Sequence, residues 1–298
     1  MTDSAARLDE VVGTDGAEGR RPAAGQPAPA PAARTHRVSP DAGITLAGID
    51  PDDSEGYESK SEVKEELAEL RAMISKLQAR LYAEGRRSLL VVLQAMDTGG
   101  KDGAIKDVFR GVNPQGCQVW SFKAPSSEEL SHDFLWRYHE KAPARGMITI
   151  FNRSHYEDVL VVRVKDIVDE SVWRPRYESI RAFERGLGRE GVVVLKFFLH
   201  ISKDEQKRRL EARLRRPEKH WKFSTGDLAE RARWDDYQEA FQDAINETST
   251  DLSPWYVVPA NHKWYRNLVI ARTIAATLEQ MNLQFPESEP GLDSIVVT

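Results

Sequence analysis

Residues 88–106 read Ser88-Leu-Leu-Val-Val-Leu-Gln-Ala-Met-Asp-Thr-Gly-Gly-Lys-Asp-Gly-Ala-Ile-Lys106. The first seven residues form a short, largely apolar run, which is typical of a strand that is buried on both faces of a parallel sheet. A glycine-rich segment follows, and the pattern of residues 104–112 predicts a helix. The stretch therefore predicts a strand, a tight loop and a helix in direct succession.

The loop in this stretch matches part of the P-loop motif G-x-x-x-x-G-K-[ST]. Gly100 and Lys101 are in place, whereas Ala95 replaces the first glycine and Asp102 replaces the final Ser or Thr. Glycines let backbone N–H groups surround a phosphate, and a helix start adds the positive end of its dipole. The alternative is a glycine-rich turn with a solvated lysine, but the position between strand and helix favours phosphate binding. The predicted phosphate-binding residues of this segment are Gly99, Gly100, Lys101, Asp102, Gly103 and Lys106.

Two acidic residues, Asp97 and Asp102, stand beside this predicted phosphate site, where their charges would repel a phosphate. A bound Mg²⁺ removes the conflict, because carboxylate and phosphate oxygens can share its octahedral shell. We therefore expect Mg²⁺ as the cofactor, bound by carboxylate oxygens of this segment. Many P-loop enzymes hold Mg²⁺ with an aspartate at the end of a later strand, and Asn152 stands at that position here. Its carbonyl oxygen is a further predicted ligand.

The rest of the chain alternates apolar runs with longer helical patterns, and no internal repeat is visible. This alternation indicates right-handed crossovers and a parallel sheet that is covered on both faces. We expect a three-layer α/β/α domain with a parallel central sheet. The predicted strands are 88–94, 118–122, 147–151, 192–199 and 255–258. The predicted helices are 59–84, 104–112, 126–141, 155–164, 176–187, 203–215, 228–246 and 263–281.

Composition sets the expected boundaries of this domain. Residues 1–56 are rich in Ala, Pro and Gly, and they contain too little bulky apolar surface to offset the entropy of ordering. We interpret them as a disordered tail, the alternative being a polyproline segment that binds a partner. Residues 57–285 form the predicted domain, with a helical lid at about 203–228, and residues 286–298 form a C-terminal tail.

Polar residues follow the second and third predicted strands, at the sheet edge where open α/β sheets bind ligands. Lys123 follows the second strand, and Arg153 follows the third. Arg153 is the best candidate for stabilising the transferred phosphoryl group, because a guanidinium binds phosphate oxygens in a fixed bidentate fork. Glu157 either contacts a nucleotide or caps the next helix. We interpret His155 as a structural hydrogen-bonding residue without a catalytic role.

The predicted lid is strongly basic. Residues 203–222 contain nine basic and four acidic residues, in a chain whose net charge is −5. Arg209, Arg213 and Arg216 share one helical face by their spacing. Such a run is usually a solvated face, but opposite a phosphate loop it offers a row of cations to an extended polyanion. Arg209 and Arg213 are therefore predicted to bind phosphate. Four tryptophans in the C-terminal third of the chain are interpreted as core or lid-hinge packing rather than base stacking: 221, 234, 255 and 264.

Overall composition excludes several classes of protein. The net charge of −5 and the pI of about 5.9 argue against a general nucleic-acid-binding protein, which usually has a basic domain. A single cysteine, Cys117, excludes an intramolecular disulfide framework and fits a reducing compartment. No apolar run has the length of about 20 residues that spans a bilayer. The N-terminus lacks signal-peptide and transit-peptide features. We expect a cytoplasmic protein that binds neither nucleic acid nor membrane.

From about Ser59 to about Met281, the sequence resembles the polyphosphate kinase 2 family. The resemblance is carried by Gln94-Ala-Met-Asp-Thr-Gly-Gly-Lys-Asp-Gly103, Phe122-Lys-Ala-Pro-Ser-Ser-Glu-Glu129, Phe151-Asn-Arg-Ser-His-Tyr-Glu-Asp158, Glu205-Gln-Lys-Arg-Arg-Leu210, Pro217-Glu-Lys-His-Trp-Lys-Phe223, Thr248-Ser-Thr250 and Pro254-Trp255. No single motif would identify the family, but the set is highly specific.

The resemblance implies a P-loop kinase fold and Mg²⁺-dependent phosphoryl transfer between inorganic polyphosphate and nucleoside mono- or diphosphates. It implies metal and phosphate roles for Asp97 and Lys101, a phosphate role for Arg153, and a lid role for Arg209 and Arg213. It also implies a homodimer or homotetramer. The sequence leaves two alternative functions open. One is an ATP-dependent small-molecule kinase on the same fold, and the other is a non-catalytic regulator that binds polyanions or nucleotides.

Overall fold

The structure, a computed structural model, describes residues 35–297 and contains a six-stranded sheet. Its strands are β1 (Arg37–Val38), β2 (Ser88–Gln94), β3 (Cys117–Ser121), β4 (Ile148–Asn152), β5 (Val192–His200) and β6 (Trp255–Pro259). Their order across the sheet is β1-β6-β5-β2-β4-β3. β2 to β6 run parallel to their neighbours, and β1 alone among these strands pairs antiparallel, with β6.

Eleven α-helices connect and flank the strands within residues 35–297. They are α1 (Lys64–Glu84), α2 (Lys101–Val108), α3 (Ser127–Leu130), α4 (Trp136–His139), α5 (Val161–Val164), α6 (Glu170–Trp173), α7 (Arg176–Arg189), α8 (Lys203–Leu214), α9 (Gly226–Ala232), α10 (Trp234–Thr248) and α11 (Lys263–Gln280). Short 3₁₀ helices occur at Leu46–Gly48, Pro114–Gly116, His155–Asp158, Pro217–Lys222 and Leu292–Ser294.

The sheet lies between two groups of helices. All residues of β2 and β5 are buried, so both faces of the central strands are covered. α11 contacts both α1 and α2, and α7 contacts both α6 and α10, while both α7 and α11 contact β5. The predicted three-layer α/β/α fold with an essentially parallel sheet is confirmed.

Three predicted helices are divided in the structure. The 126–141 helix consists of α3 and α4, because the Asp133 carboxylate accepts a hydrogen bond from the Leu135 N–H and competes with helical bonding. A capping box of Ser126 and Glu129 begins α3. The 155–164 helix is a 3₁₀ turn followed by α5, and the 228–246 helix is interrupted at Arg233. Helix boundaries of this kind depend on local side-chain competition, which periodicity does not report.

Residues 35–56, which the sequence assigns to the disordered tail, are packed against the domain. β1 pairs with β6, Leu46 is buried, and the backbone N–H of Ile44 donates to Asn246 Oδ1 at 3.0 Å. The partners are about two hundred positions away in the sequence, so local composition could not indicate this ordering. Residues 1–34 of the predicted tail lie outside the described residues. In residues 286–297, Val296 and Val297 are exposed.

The lid region of the sequence forms α8, the 3₁₀ helix at Pro217–Lys222 and α9, and the chain then returns to the domain through α10. Ser202 caps α8, because its hydroxyl accepts a hydrogen bond from the Glu205 N–H. Among residues 35–297, no helix combines the length and apolar character that crossing a membrane requires.

Candidate functional site: a basic cleft at the carboxyl ends of the strands

The glycine-rich loop between β2 and α2, residues 95–100, is called the phosphate loop here, and its two glycines are required for different reasons. Gly100, the residue before α2, has a φ of 101°, a conformation that L side chains rarely adopt. A Cβ atom at Gly100 would lie 2.1 Å from Arg266 Nη1, and one at Gly99 would lie 2.4 Å from the Ala95 Cβ. The loop is therefore tightly packed on its inner side. It leads directly into α2, and a helix start offers backbone N–H groups to an anion.

Lys101 is buried at the start of α2, where its Nζ donates a hydrogen bond to the Ala95 carbonyl oxygen at 2.9 Å. Burial lowers the pKa of Lys101 to about 8, and the positive charge of Arg153 adds to this, whereas Asp97 acts in the opposite direction. An ammonium group with few solvating partners gains strongly from an anion, so Lys101 is poised to bind phosphate oxygens.

Arg153 and Asp97 form an ion pair across the cleft. Arg153 Nη2 lies 2.7 Å from Asp97 Oδ1, and 43% of the Arg153 side chain is exposed. Arg153 has a φ of 64°, in the left-handed region that non-glycine residues seldom occupy. Its N–H donates to the Leu93 carbonyl at 3.2 Å. This hydrogen bond joins the end of β4 to the end of β2. One cleft is lined by all three predicted catalytic residues, Asp97, Lys101 and Arg153.

Asn152, the second predicted metal ligand, lies beside Asp102. Asn152 Nδ2 donates a hydrogen bond to Asp102 Oδ1 at 2.9 Å. An aspartate at position 152 could not donate this bond, and its carboxylate would repel that of Asp102. Among residues 35–297, no group of three or more His, Cys, Asp or Glu side chains could hold a metal ion.

Arg209, predicted to bind polymer, uses its five N–H groups within the protein. Nη1 donates to the carbonyl oxygens of Thr98 and Gly99, Nη2 donates to those of Ala260 and Asn261, and Nε donates to Glu205. These distances lie between 2.6 and 3.1 Å. Arg209 therefore connects the phosphate loop to the segment between β6 and α11. Arg213, one turn further along α8, lines the cleft and lies 3.3 Å from Asp227.

The cleft between the loop and the lid has a volume of about 850 Å³. Its walls carry nine basic and four acidic side chains, although the whole chain has a net charge of −5. Such a local excess of cations concentrates anionic ligands. The basic residues are Lys101, Lys123, Arg153, Arg208, Arg209, Arg213, Arg216, Lys219 and Lys263.

Two predicted ligand-binding residues lie outside the lining of this cleft. Lys106 is exposed on α2, and Glu157 is half-buried in the 3₁₀ helix after β4. Burial acts to lower the pKa of Arg153, but Glu157 and Asp97 together raise it, so Glu157 acts on the cleft through its charge. The remaining predicted residues, Gly99, Gly100, Asp102, Gly103 and Lys123, line the cleft.

Sequence reasoning missed two residues of α11. Lys263 follows β6 and lines the cleft, while Arg266 on the same helix packs against Gly100. The rule that ligands lie at strand carboxyl ends, applied to β6, would have found both. Trp221 is 78% exposed and lines the cleft from the lid, contrary to the packing role expected for it, whereas Trp234 and Trp255 are buried.

A phosphate loop at the end of a central parallel strand, a basic cleft and a helical lid define a phosphate-binding α/β domain of the P-loop kinase type. The model of the family described as Polyphosphate kinase 2 (PPK2) matches residues 57–286. The chain belongs to the polyphosphate kinase 2 family.

Curated relatives and a solved structure agree with this membership. The chain is 54% identical to the AMP/ADP-polyphosphate phosphotransferase of Meiothermus ruber, over 89% of this chain and 99% of the relative. It is 49% identical to the ADP-polyphosphate phosphotransferase of Rhodopseudomonas palustris, over 79% of this chain and 86% of the relative. The crystal structure of Polyphosphate Kinase 2 from Arthrobacter aurescens TC1 has 44% identity and a TM-score of 0.84, covering 91% of this chain and 96% of that one.

Proposed function

We propose that the protein transfers a phosphoryl group between inorganic polyphosphate and nucleoside mono- or diphosphates, with Mg²⁺ as cofactor. The observation that carries the proposal is the meeting of Lys101, Arg153 and the α2 N-terminus in one cleft with an excess of basic side chains. Family membership and the names of the relatives support it.

In the proposed reaction, an oxygen of the nucleotide's terminal phosphate attacks the end phosphate of the polymer. The bond between the last two phosphates of the polymer breaks, the nucleotide gains one phosphate, and the polymer becomes one unit shorter. Both substrates are highly anionic, so the barrier contains a large repulsive contribution. Lys101 and Arg153 offset this repulsion and stabilise charge on the transferred group, while Arg213, Arg216 and Lys219 bind the rest of the polymer from the lid.

Mg²⁺ would be held by Asp97 and the Asn152 carbonyl oxygen together with substrate phosphates, and it would supply charge neutralisation when bound. The residues suit this role because Asp97 and Asp102 place carboxylates beside a phosphate loop, where a divalent cation is needed to compensate them. The Asn152 amide hydrogens are already directed to Asp102, which leaves the carbonyl oxygen for a cation.

Two further proposals concern the protein in the cell. We place it in the cytoplasm, since a single cysteine fits a reducing compartment. We also propose a homodimer or homotetramer. The edge strand β3 and its surroundings support this, because Val119 and Tyr82 are partly exposed there. Light scattering of the purified protein tests the oligomeric state.

The decisive experiment incubates purified protein with Mg²⁺, polyphosphate and AMP, ADP, GMP or GDP in turn, and separates the products by chromatography. We expect nucleotides extended by one or more phosphates, and no product when EDTA is added. Lys101→Ala should lower the rate about a thousandfold if its contribution equals that of an arginine finger. Lys76→Ala, an exposed lysine on α1 away from the cleft, is the matched control and should retain full activity.

The result also separates the rival functions. An ATP-dependent small-molecule kinase would use ATP as donor and would not respond to polyphosphate. A non-catalytic regulator would bind nucleotide or polyphosphate without transferring phosphate. Either result would refute the proposal.

A further inference from the structure

A fully buried polar cluster lies behind the segment that carries Arg153. Its centre is Lys196, on the central strand β5, whose side chain has no exposed surface. Lys196 Nζ donates to Glu184 Oε2 at 2.7 Å, to the Thr248 carbonyl at 2.7 Å and to Tyr156 Oη at 2.9 Å. All three ammonium hydrogens are therefore used. We call the group of Lys196, Glu184, Thr248, Tyr156 and His155 the Lys196 cluster.

The second member, Glu184 on α7, is bound from three directions. Besides Lys196, Tyr156 Oη lies 2.8 Å and His155 Nε2 lies 3.2 Å from Glu184 Oε1. Burial opposes the charge on Glu184, but Lys196 and His155 lower its pKa, so the carboxylate is ionised. Burial lowers the pKa of His155, so its ring is neutral and Nε2 carries the hydrogen that Glu184 accepts.

The cluster joins five separate elements. Its members come from the 3₁₀ turn after β4, from α7, from β5 and from the end of α10, and the Trp255 indole of β6 donates to Thr248 Oγ1 at 2.9 Å. A buried ion pair is weak evidence for stability, because hydrophobic residues of similar volume often stabilise a core as well or better. Its presence calls for a role other than holding the fold together.

The neighbouring backbone indicates that role. Arg153 has a φ of 64°, an unfavourable conformation for a residue with a side chain. Immediately after it, buried Ser154 accepts a hydrogen bond from Gln94 Nε2 at 3.1 Å and another from the Tyr156 N–H at 3.3 Å. The next two side chains, His155 and Tyr156, enter the Lys196 cluster. The strained residue is therefore fixed on its C-terminal side by buried polar contacts and on its N-terminal side by β4.

We propose that the Lys196 cluster positions Arg153, holding its backbone in the left-handed conformation that directs the guanidinium into the cleft. Lys196, Glu184 and Tyr156 are positioning residues, since they act through Arg153 and do not reach the cleft. The proposal rests on the proposed phosphoryl transfer and adds a source of preorganisation within the core.

A double-mutant cycle with Arg153 tests the proposal. Tyr156→Phe removes one hydroxyl from the cluster and keeps the ring. We expect it to lower kcat about tenfold or more while the KM for nucleotide changes little. In an Arg153→Ala background, the same substitution should lower the residual rate less than twofold, because the group that it positions is absent. Melting temperatures report its structural cost in both backgrounds.

The control is Tyr265→Phe, which removes a buried hydroxyl that lies 2.7 Å from His36 Nε2, on another side of the sheet. Tyr265→Phe should lower the melting temperature. Any change in kcat that it causes should be the same in the wild-type and Arg153→Ala backgrounds. If Tyr156→Phe does not fold, Thr248→Val removes a different hydroxyl from the cluster and passes through the same cycle.

Two outcomes overturn the proposal: equal rate losses in both backgrounds, which indicate a purely structural role, or an unchanged kcat. Wild-type protein without any polyphosphate-dependent transfer would instead refute the proposed function. The two failures are therefore distinguishable.

Discussion

Replacing Arg209 by alanine separates two roles that this arginine can have in the lid. Its spacing with Arg213 along α8 predicts a ligand for polyphosphate, whereas its hydrogen bonds join the carbonyls of the phosphate loop to those of the segment after β6. Only 7% of the Arg209 side chain is exposed, compared with 25% for Arg213. We expect Arg209 to act as a clamp on the loop and Arg213 to bind the polymer.

The size of the effect follows from the bonds that are lost. A hydrogen bond to a charged group contributes about 1.5–3 kcal/mol, but the contributions of the Arg209 bonds do not add, because water can reach carbonyls at the edge of the cleft. Glu205 keeps a second partner, Arg208, at 2.9 Å. Arg209→Ala should therefore lower the free energy of unfolding by about 3–5 kcal/mol, the range for breaking a buried charged contact. A loop displaced by about 1 Å should lower kcat about a hundredfold.

Urea unfolding and steady-state kinetics with polyphosphates of several lengths measure both quantities. A clamp predicts the same fractional loss of kcat at every polymer length, together with the loss of stability. Arg213→Ala, the comparison variant on the same helix face, should change stability by less than about 1 kcal/mol, because its pair with Asp227 is partly exposed, and should raise the KM for polyphosphate. Unchanged stability of Arg209→Ala, with a KM that rises more steeply for longer polymers, would refute the clamp.

Three further predictions concern the loop and its surroundings. Because the pKa of Lys101 is about 8, its positive charge is present below that pH and lost above it. The value of kcat/KM should therefore fall about tenfold per pH unit above pH 8. A pH profile of kcat/KM that stays flat to pH 9.5 would contradict this prediction. Asn152→Asp places a second carboxylate beside Asp102, where the wild-type amide donates a hydrogen bond at 2.9 Å. The Tm of the variant should fall by about 2–4 °C without Mg²⁺, and it should rise more than the wild-type Tm when Mg²⁺ is added. An equal rise of Tm in both proteins would argue against a metal at this position. Gly100→Ala brings a Cβ atom to 2.1 Å from a guanidinium nitrogen of Arg266, and it should lower the free energy of unfolding by about 1–3 kcal/mol. Gly103→Ala, whose Cβ atom would have its nearest contact at 3.5 Å, should be tolerated. A lower melting temperature for Gly103→Ala than for Gly100→Ala would contradict this prediction.

The candidate site was predictable to the extent that its residues follow strands directly. Asp97, Lys101 and Arg153 each stand within a few residues after a recognisable apolar strand, and parallel strands bring their carboxyl ends to one edge. Lys263 and Arg266 were missed because the same rule was not applied to β6. The hydrogen bonds from Arg209 to the carbonyl oxygens of the loop could not be predicted. Arg209 and Arg213 lie one turn apart on the same face of α8, so their spacing does not indicate which of them contacts the loop.

The sequence by itself determined the periodicities, and with them the order of strands and helices, the three layers and the position of the phosphate loop. These features depend on local patterns of apolar residues and glycines, which are written in short stretches of chain. The tertiary structure decided the pairing of β1 with β6, the burial of Lys196 with Glu184 and the use of Arg209 within the protein. Each joins residues that are distant in the sequence, so their contacts exist only once the sheet and its helices have packed together.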